Sequence, residues 1–307
     1  MNPLRGIAFK LGSVVVFMTM SSLIKAASDA VPPGEAVFFR SFFAIPVIVV
    51  WLIATRSLKA GLATANPLGH FWRGLMGTAA MGFGFAGLGL LPLPEVTAIG
   101  YAAPLLTVVF AAMFLGENVR AFRIATVALG MAGVLIVLSP RLTAFSEGQI
   151  GGEEALGAIV VLVGAVFAAL AQVFVRKLVN EEKTSAIVFY FSVNSALLSL
   201  VTLPFGWTVP DPQSAAMLVC AGLLGGVGQI FLTSSYRHAD ASVVAPFDYA
   251  SMLLAIAIGY VVFDEVPTWT VIGGATLVVF AGILIIWRER RLGLERSRQR
   301  KAMTPQG

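Results

Sequence analysis

Charge is what this chain has least of. Of 307 residues only 12% are Asp, Glu, Lys or Arg, against 58% hydrophobic, where soluble domains carry roughly 25% charged residues. Too few polar groups remain to cover the outside of a soluble fold of this length, whereas a chain facing hydrocarbon needs none. The mean hydropathy of +0.87 agrees. Cysteine is nearly absent as well: Cys220 stands alone, which excludes an internal disulfide and a multi-thiolate metal site. It lies in an apolar run and reads as a small buried hydrophobe. The two histidines, His70 and His238, fall in short connections with no third ligand nearby in sequence, so no zinc site is expected.

The net charge of +5 would suit nucleic acid if the basic residues formed a patch on a soluble surface. They do not. Arg288, Arg290, Arg291, Arg296, Arg298, Arg300 and Lys301 follow a long apolar run directly, where basic residues meet anionic lipid headgroups. Nucleic acid is therefore not an expected partner.

A helix needs about 20 apolar residues to cross roughly 30 Å of hydrocarbon. Ten such windows occur, at 7–27, 36–54, 71–91, 96–115, 124–138, 156–175, 187–203, 215–233, 243–263 and 270–287. The fold class expected is all-α and membrane-integral, with ten transmembrane helices. The first window, although it has a basic flank, continues for a full span and reads as a retained helix, not a cleaved signal. The fifth is the shortest. The longest connection, Ser139 to Ala155, is acidic and Gly-rich and reads as a loop between halves.

Lys and Arg are retained on the cytoplasmic side during insertion. With the N-terminus inside, only Lys25, Arg40 and Arg141 of the 21 basic residues fall outside, so both termini are expected in the cytoplasm of a multi-pass protein of the bacterial inner membrane. The five tryptophans all sit at window ends, as indole rings at the headgroup level should.

The second half echoes the first. Gly100-Tyr101-Ala102 begins a run ending at Glu117, and Asp248-Tyr249-Ala250 begins one of equal length ending at Glu265, with Leu105 and Leu106 matched by Leu253 and Leu254. Five spans per half is an odd number, so tandem copies must lie upside down relative to each other, an arrangement used for alternating access around a midplane site. The division expected is 1–145 and 146–290 as the two five-helix repeats, with 291–307 as a basic cytoplasmic tail.

This pattern resembles the EamA type of the drug/metabolite transporter superfamily over nearly the whole chain. The resemblance rests on Phe39-Arg40-Ser41, Arg73-Gly74-Leu75, Pro104-Leu105-Leu106 through Leu115-Gly116-Glu117-Asn118, Ala245-Pro246-Phe247-Asp248-Tyr249 and Asp264-Glu265-Val266-Pro267, taken in order. It implies ten helices, inverted halves, a central cavity and carriage of metabolites such as amino acids. Two positions depart from the repeat: Met252 stands where the first half has Pro104, and Asp264 where it has Gly116.

Polar groups in the middle of spans must pair, protonate or face water. Asp248 is the one carboxylate inside a window away from its ends; it could bind a substrate ammonium, carry a coupled proton, or cap a backbone break after Pro246. Tyr101 and its repeat mate Tyr249 could offer hydroxyls to a cavity. Gln172, Asn194 and Gln229 could orient a polar solute or bond neighbouring helices, and Phe83 could line a cavity or pack. Lys25, Glu35 and Arg40 could form an outer charged gate, or snorkel to the headgroups.

Two motifs mislead. Gly82-Phe83-Gly84-Phe85-Ala86-Gly87 spells a dinucleotide fingerprint but lacks the strand it requires, and close helix packing is the expected reason for its glycines, as for Gly222 and Gly226. Ser22-Leu23-Ile24-Lys25 spells an acylating-serine motif without its companion elements. No cofactor is implied. The function expected is a secondary transporter of small metabolites, amino acids first and by export, acting as a monomer or weak homodimer. A membrane-embedded enzyme would show clustered acids and histidines at one interface, and none are present; a channel or uniporter for a nucleoside or cofactor is the other alternative.

Overall fold

The structure, a computed structural model, describes residues 3–115, 121–146, 152–178, 181–238 and 245–303. Gly116, Glu117 and Asn118 lie outside the described residues. Helices account for nearly all of the chain, and no strand occurs among the described residues. In chain order they are α1 (Pro3–Ala27), α2 (Pro33–Phe42), α3 (Ala44–Ala54), the short α4 (Leu58–Leu62), α5 (Pro67–Leu90), α6 (Leu93–Gly100), α7 (Ala102–Leu115), α8 (Ala121–Ser146), α9 (Gly152–Leu178), α10 (Thr184–Ser199), α11 (Pro212–His238), α12 (Ala250–Phe263) and α13 (Trp269–Met303).

Seven helical stretches are long and apolar enough to cross a bilayer, and Ile124–Pro140 and Phe247–Phe263 are shorter apolar ones. The remaining pass, third in chain order, is α5, whose 24 residues include seven glycines, one histidine and one arginine, which lower its hydropathy without shortening it. The fifth pass is longer than its apolar window. Because α8 continues past Pro140 to Ser146, the loop expected over 139–155 is mostly helix at both ends.

Among the described residues three passes are broken mid-span, and two of these breaks trace to proline; the seventh pass also turns from α to 3-10 near its end, at Leu200, whose carbonyl Pro204 deprives of a donor. A proline has no N–H to offer the carbonyl four residues back. Pro46 so deprives Phe42, where α2 ends, and Pro104 deprives Gly100, where α6 ends. In the ninth pass the 3-10 turn Ala245–Tyr249 leads into α12. That break falls at Tyr249, the repeat mate of Tyr101, without a proline at Met252; here the Ser251 hydroxyl donates to the Asp248 carbonyl. The other departure also has a physical reason. Asp264 caps α12 with φ 54°, a left-handed position that glycine takes freely and Asp tolerates.

The most extensive helix pairings all run between the halves: α1 with α11, α5 with α9, and α8 with α13. Interchanging each span with its counterpart five spans later turns the first pair into the second and returns the third to itself, as inverted repeats require. In the α8–α13 pair the backbones nearly touch. A Cβ on Gly133 would sit 2.7 Å from the Gly274 carbonyl oxygen, and one on Gly274 would sit 2.6 Å from that of Gly133. Gly222 and Gly226 meet α2 and α3 in the expected small-residue fashion. Two expectations fail. Cβ atoms on Gly82 and Gly84 would meet nothing within 4 Å, so of that motif only Gly87, against Val161, is explained by close packing. Cys220 is exposed, not buried, because its position on α11 faces away from the bundle.

Candidate functional site

The two paired breaks bring Tyr101 and Tyr249 together. Their rings meet edge to face at 5.2 Å, and the Tyr101 hydroxyl bonds the Ser251 hydroxyl at 2.6 Å. A Cβ on Gly282 of α13 would overlap the Tyr249 hydroxyl, so glycine is required there for the ring to reach inward. Beside this pair, Asp248 accepts from Lys10 Nζ at 2.7 Å. The two partners differ sharply in surroundings: Lys10 is 2% exposed and Asp248 49%. Lys10 is thus no flanking cation of a loop. It lies two turns inside α1, and Asp248 joins the first pass to the ninth while leaving half its surface open.

The other sequence candidates are placed elsewhere. Asn194 donates to the His70 carbonyl at 3.0 Å, tying α10 to α5. Phe83 stacks on Phe167 at 5.7 Å, Gln229 is half-buried in α11 and Gln172 is exposed on α9. The three proposed gate residues are not brought into one contact. Lys25 pairs with Glu265 at 2.9 Å and donates to the carbonyls of Leu88 and Leu91; Glu265 also accepts from the Leu93 N–H. Glu35 accepts from the Thr208 N–H, and Arg40 is buried inside the bundle.

These contacts tie chain segments together at both ends of the bundle. At the face where α1 ends, Glu35 and Ala30 hold Thr208, and Lys25 holds Glu265. At the opposite face Glu182 accepts from the Thr64 hydroxyl and the Ala65 and Asn66 N–H groups. Burial pushes the Glu182 carboxyl up, but these bonds and the nearby His70 outweigh it and hold it below the usual carboxylate range. His70 stands 3.7 Å from Glu182, too far for a hydrogen bond. It is buried in the first turn of α5, contrary to the loop position expected. Between the chain segments at the first face lies a mainly apolar cavity of about 250 Å³, lined by Ile24, Ser28, Pro33, Phe85, Gly89 and Leu218 among others.

Residues 4–139 and 155–288 each match the EamA-like transporter family. The chain belongs to that family. Among curated relatives of this EamA-like transporter, the pseudopaline exporter of Pseudomonas aeruginosa is 30% identical over 284 residues, covering 91% of this chain and 95% of the relative. The S-adenosylmethionine uptake transporter of Rickettsia prowazekii is 26% identical over 288 residues, covering 94% of each. A solved crystal structure of a protein aligns with a TM-score of 0.65 at 22% identity, over 95% of this chain and 99% of that one; it carries the fold alone. The chain is a multi-pass membrane transporter of a small molecule and not an enzyme. One relative is named for export and the other for uptake, so membership leaves direction and cargo open.

Lys10 and Arg73 are charges within the bundle that the positive-inside bias counts only among the cytoplasmic-side cations. A signal for Arg73 was present: Asn66-Pro67 pairs a helix cap with proline at the first helical position, and the Asn66 side chain does accept from the Gly69 N–H. The helix therefore starts early enough to carry Arg73 inside.

Proposed function

We propose that this transporter exports amino-acid-like metabolites across the bacterial cytoplasmic membrane, both termini lying in the cytoplasm. Transport proceeds by alternating access between the repeats 1–145 and 146–290, with 291–307 as a cytoplasmic tail, in a chain acting as a monomer or weak homodimer. The observation that carries the reading is the Tyr101–Tyr249 contact at two matched helix breaks, next to the half-open Asp248 carboxylate. Breaks free backbone groups and let a helix flex where a solute would sit. Asp248 can exchange Lys10 for a solute ammonium, since both are ammonium groups. The name of the Pseudomonas relative supports export.

Lys25 and Glu35 serve at the closure of one face, and Glu182 at the other. Opening one while the other holds gives each side access in turn. The test is reconstitution of the purified chain in liposomes with a panel of labelled amino acids and nucleosides. Saturable amino-acid exchange, with lowered amino-acid content in cells expressing the protein, is the expected result. Exchange of nucleosides and not amino acids would overturn the substrate class, and raised cellular content would overturn the direction.

A further inference from the structure

Away from the tyrosine pair, two guanidinium groups share one phenyl ring. Arg73 of α5 places Cζ 3.4 Å from the ring centroid of Phe191 in α10, and Arg40 of α2 places Cζ 5.5 Å from it. Arg40 is only 3% exposed. Among the described residues neither arginine has a carboxylate within ion-pair distance. Nη1 of Arg40 and both Nε and Nη1 of Arg73 are buried without a hydrogen-bond partner there, as are the hydroxyls of Ser41, next to Arg40, and Ser192, next to Phe191. Glycine makes room for both guanidinium groups: a Cβ at Gly225 would come within 3.2 Å of Arg40 Nε, and one at Gly77 within 3.0 Å of Arg73 Nη1.

A buried cation without a partner is costly, and two like charges side by side are costlier. A sequence under no functional demand would replace them with apolar residues of similar volume. Their ring contact offsets part of this, yet it satisfies none of the in-plane N–H donors. Those donors form the fork that matches a planar oxyanion in two-point fashion. We propose that Arg40 and Arg73 form an anion site that holds the carboxylate of the transported solute, so that the cargo is an organic acid or zwitterion. This rests on the transport reading above and narrows it to solutes bearing a carboxylate.

The test uses the full chain in nanodiscs, with thermal unfolding followed against sodium succinate, inorganic phosphate and chloride at fixed ionic strength. Succinate should raise the Tm saturably and chloride should not; a response to phosphate alone would overturn the carboxylate assignment. Arg40→Gln and Arg73→Gln should each weaken the succinate response at least about tenfold. Arg40→Lys and Arg73→Lys, which keep the charge and lose the fork, should weaken it while folding normally, and the exposed-loop control Arg56→Gln should leave it unchanged. Without succinate, Arg40→Met and Arg73→Met should be as stable as the wild type or more so. A wild type indifferent to succinate, or a response that survives the double Gln variant, overturns the site. Amino-acid exchange in liposomes unaffected by Arg73→Lys would remove the site and leave the transport reading; succinate stabilisation without exchange of any solute would do the reverse.

Discussion

Substitution of Asp248 tests how the Lys10–Asp248 pair is built, because its partners are so unequally exposed. Removing one member of a fully buried ion pair costs about 3–5 kcal/mol, since the other is left uncompensated in low dielectric. Asp248→Leu takes this carboxylate from an ammonium that is 2% exposed but keeps other contacts, so the loss should fall at or below about 3 kcal/mol, the lower end of this range. Lys10→Met leaves a carboxylate with half its surface open, which water can solvate, so the loss should fall nearer the 1 kcal/mol of an exposed pair. Asp248→Asn keeps an oxygen that accepts from Lys10 and should lie between. The double variant Lys10→Met with Asp248→Leu should be more stable than Asp248→Leu alone, because it removes a buried charge that has lost its Asp248 partner. The measurement is thermal unfolding in nanodiscs, accompanied by exchange assays in liposomes. Lys10→Met costing more than Asp248→Leu, or losses that simply add in the double variant, would refute the reasoning. For function, Asp248→Asn should abolish exchange or its pH dependence in a folded protein. Wild-type exchange across pH would remove Asp248 from the site and leave Tyr101 and Tyr249.

In α13, Gly282→Ala should cost about 1–3 kcal/mol by overpacking against Tyr249 and depress exchange, whereas Gly273→Ala, which meets nothing within 4 Å, should be neutral or stabilise by up to about 1 kcal/mol through helix propensity; thermal unfolding of the two decides. Glu182→Ala should speed hydrogen exchange at the Ala65 and Asn66 amides. Because the folded Glu182 pKa lies below its ordinary 4.5, its contribution is complete above that value and is lost as pH falls through the lower one; protection of those two amides, corrected for intrinsic rates, should therefore hold at pH 5 and above and fail only in stronger acid. With Cys220 replaced by Ser, cysteines at Gly148 and Pro212 should react with an impermeant thiol reagent from outside and one at Ser57 should not; labelling at Ser57 alone would invert the orientation.

The ten passes were readable because hydrocarbon thickness imposes a length that apolar windows report directly. What those windows report poorly is where a helix begins. α1 starts at Pro3 and α5 at Pro67, each four residues before its apolar window, so Lys10 and Arg73, which sit near the window edges and look like flanking cations, lie about two turns inside their helices. The tyrosine pair was visible as a repeat, since the same residue recurs in the same run. Its geometry was legible only in part: Pro246 announces a break in the ninth pass, but no proline at Met252 fixes its end at Tyr249. The partners of Lys25 and Glu35 were hidden for another reason. Glu265 and Thr208 lie about 240 and 170 residues further along the chain, and no local spacing rule reaches that far.

That separation has a consequence for how the protein is made. The chain emerges at roughly 5–20 residues per second, so α1 spends on the order of 10–40 seconds in the bilayer before α11, its main partner, has been synthesised. During that interval the Lys10 ammonium waits for Asp248, and the face that will bear on α11 lies against lipid or against the insertion machinery. The first half closes on itself only lightly, through such contacts as Lys25 with the Leu88 and Leu91 carbonyls, for its most extensive pairings belong to helices not yet made. Ribosome pausing near residue 238, or loss of whatever shelters α1 meanwhile, should therefore lower the yield of intact protein more than a comparable delay within the first five passes.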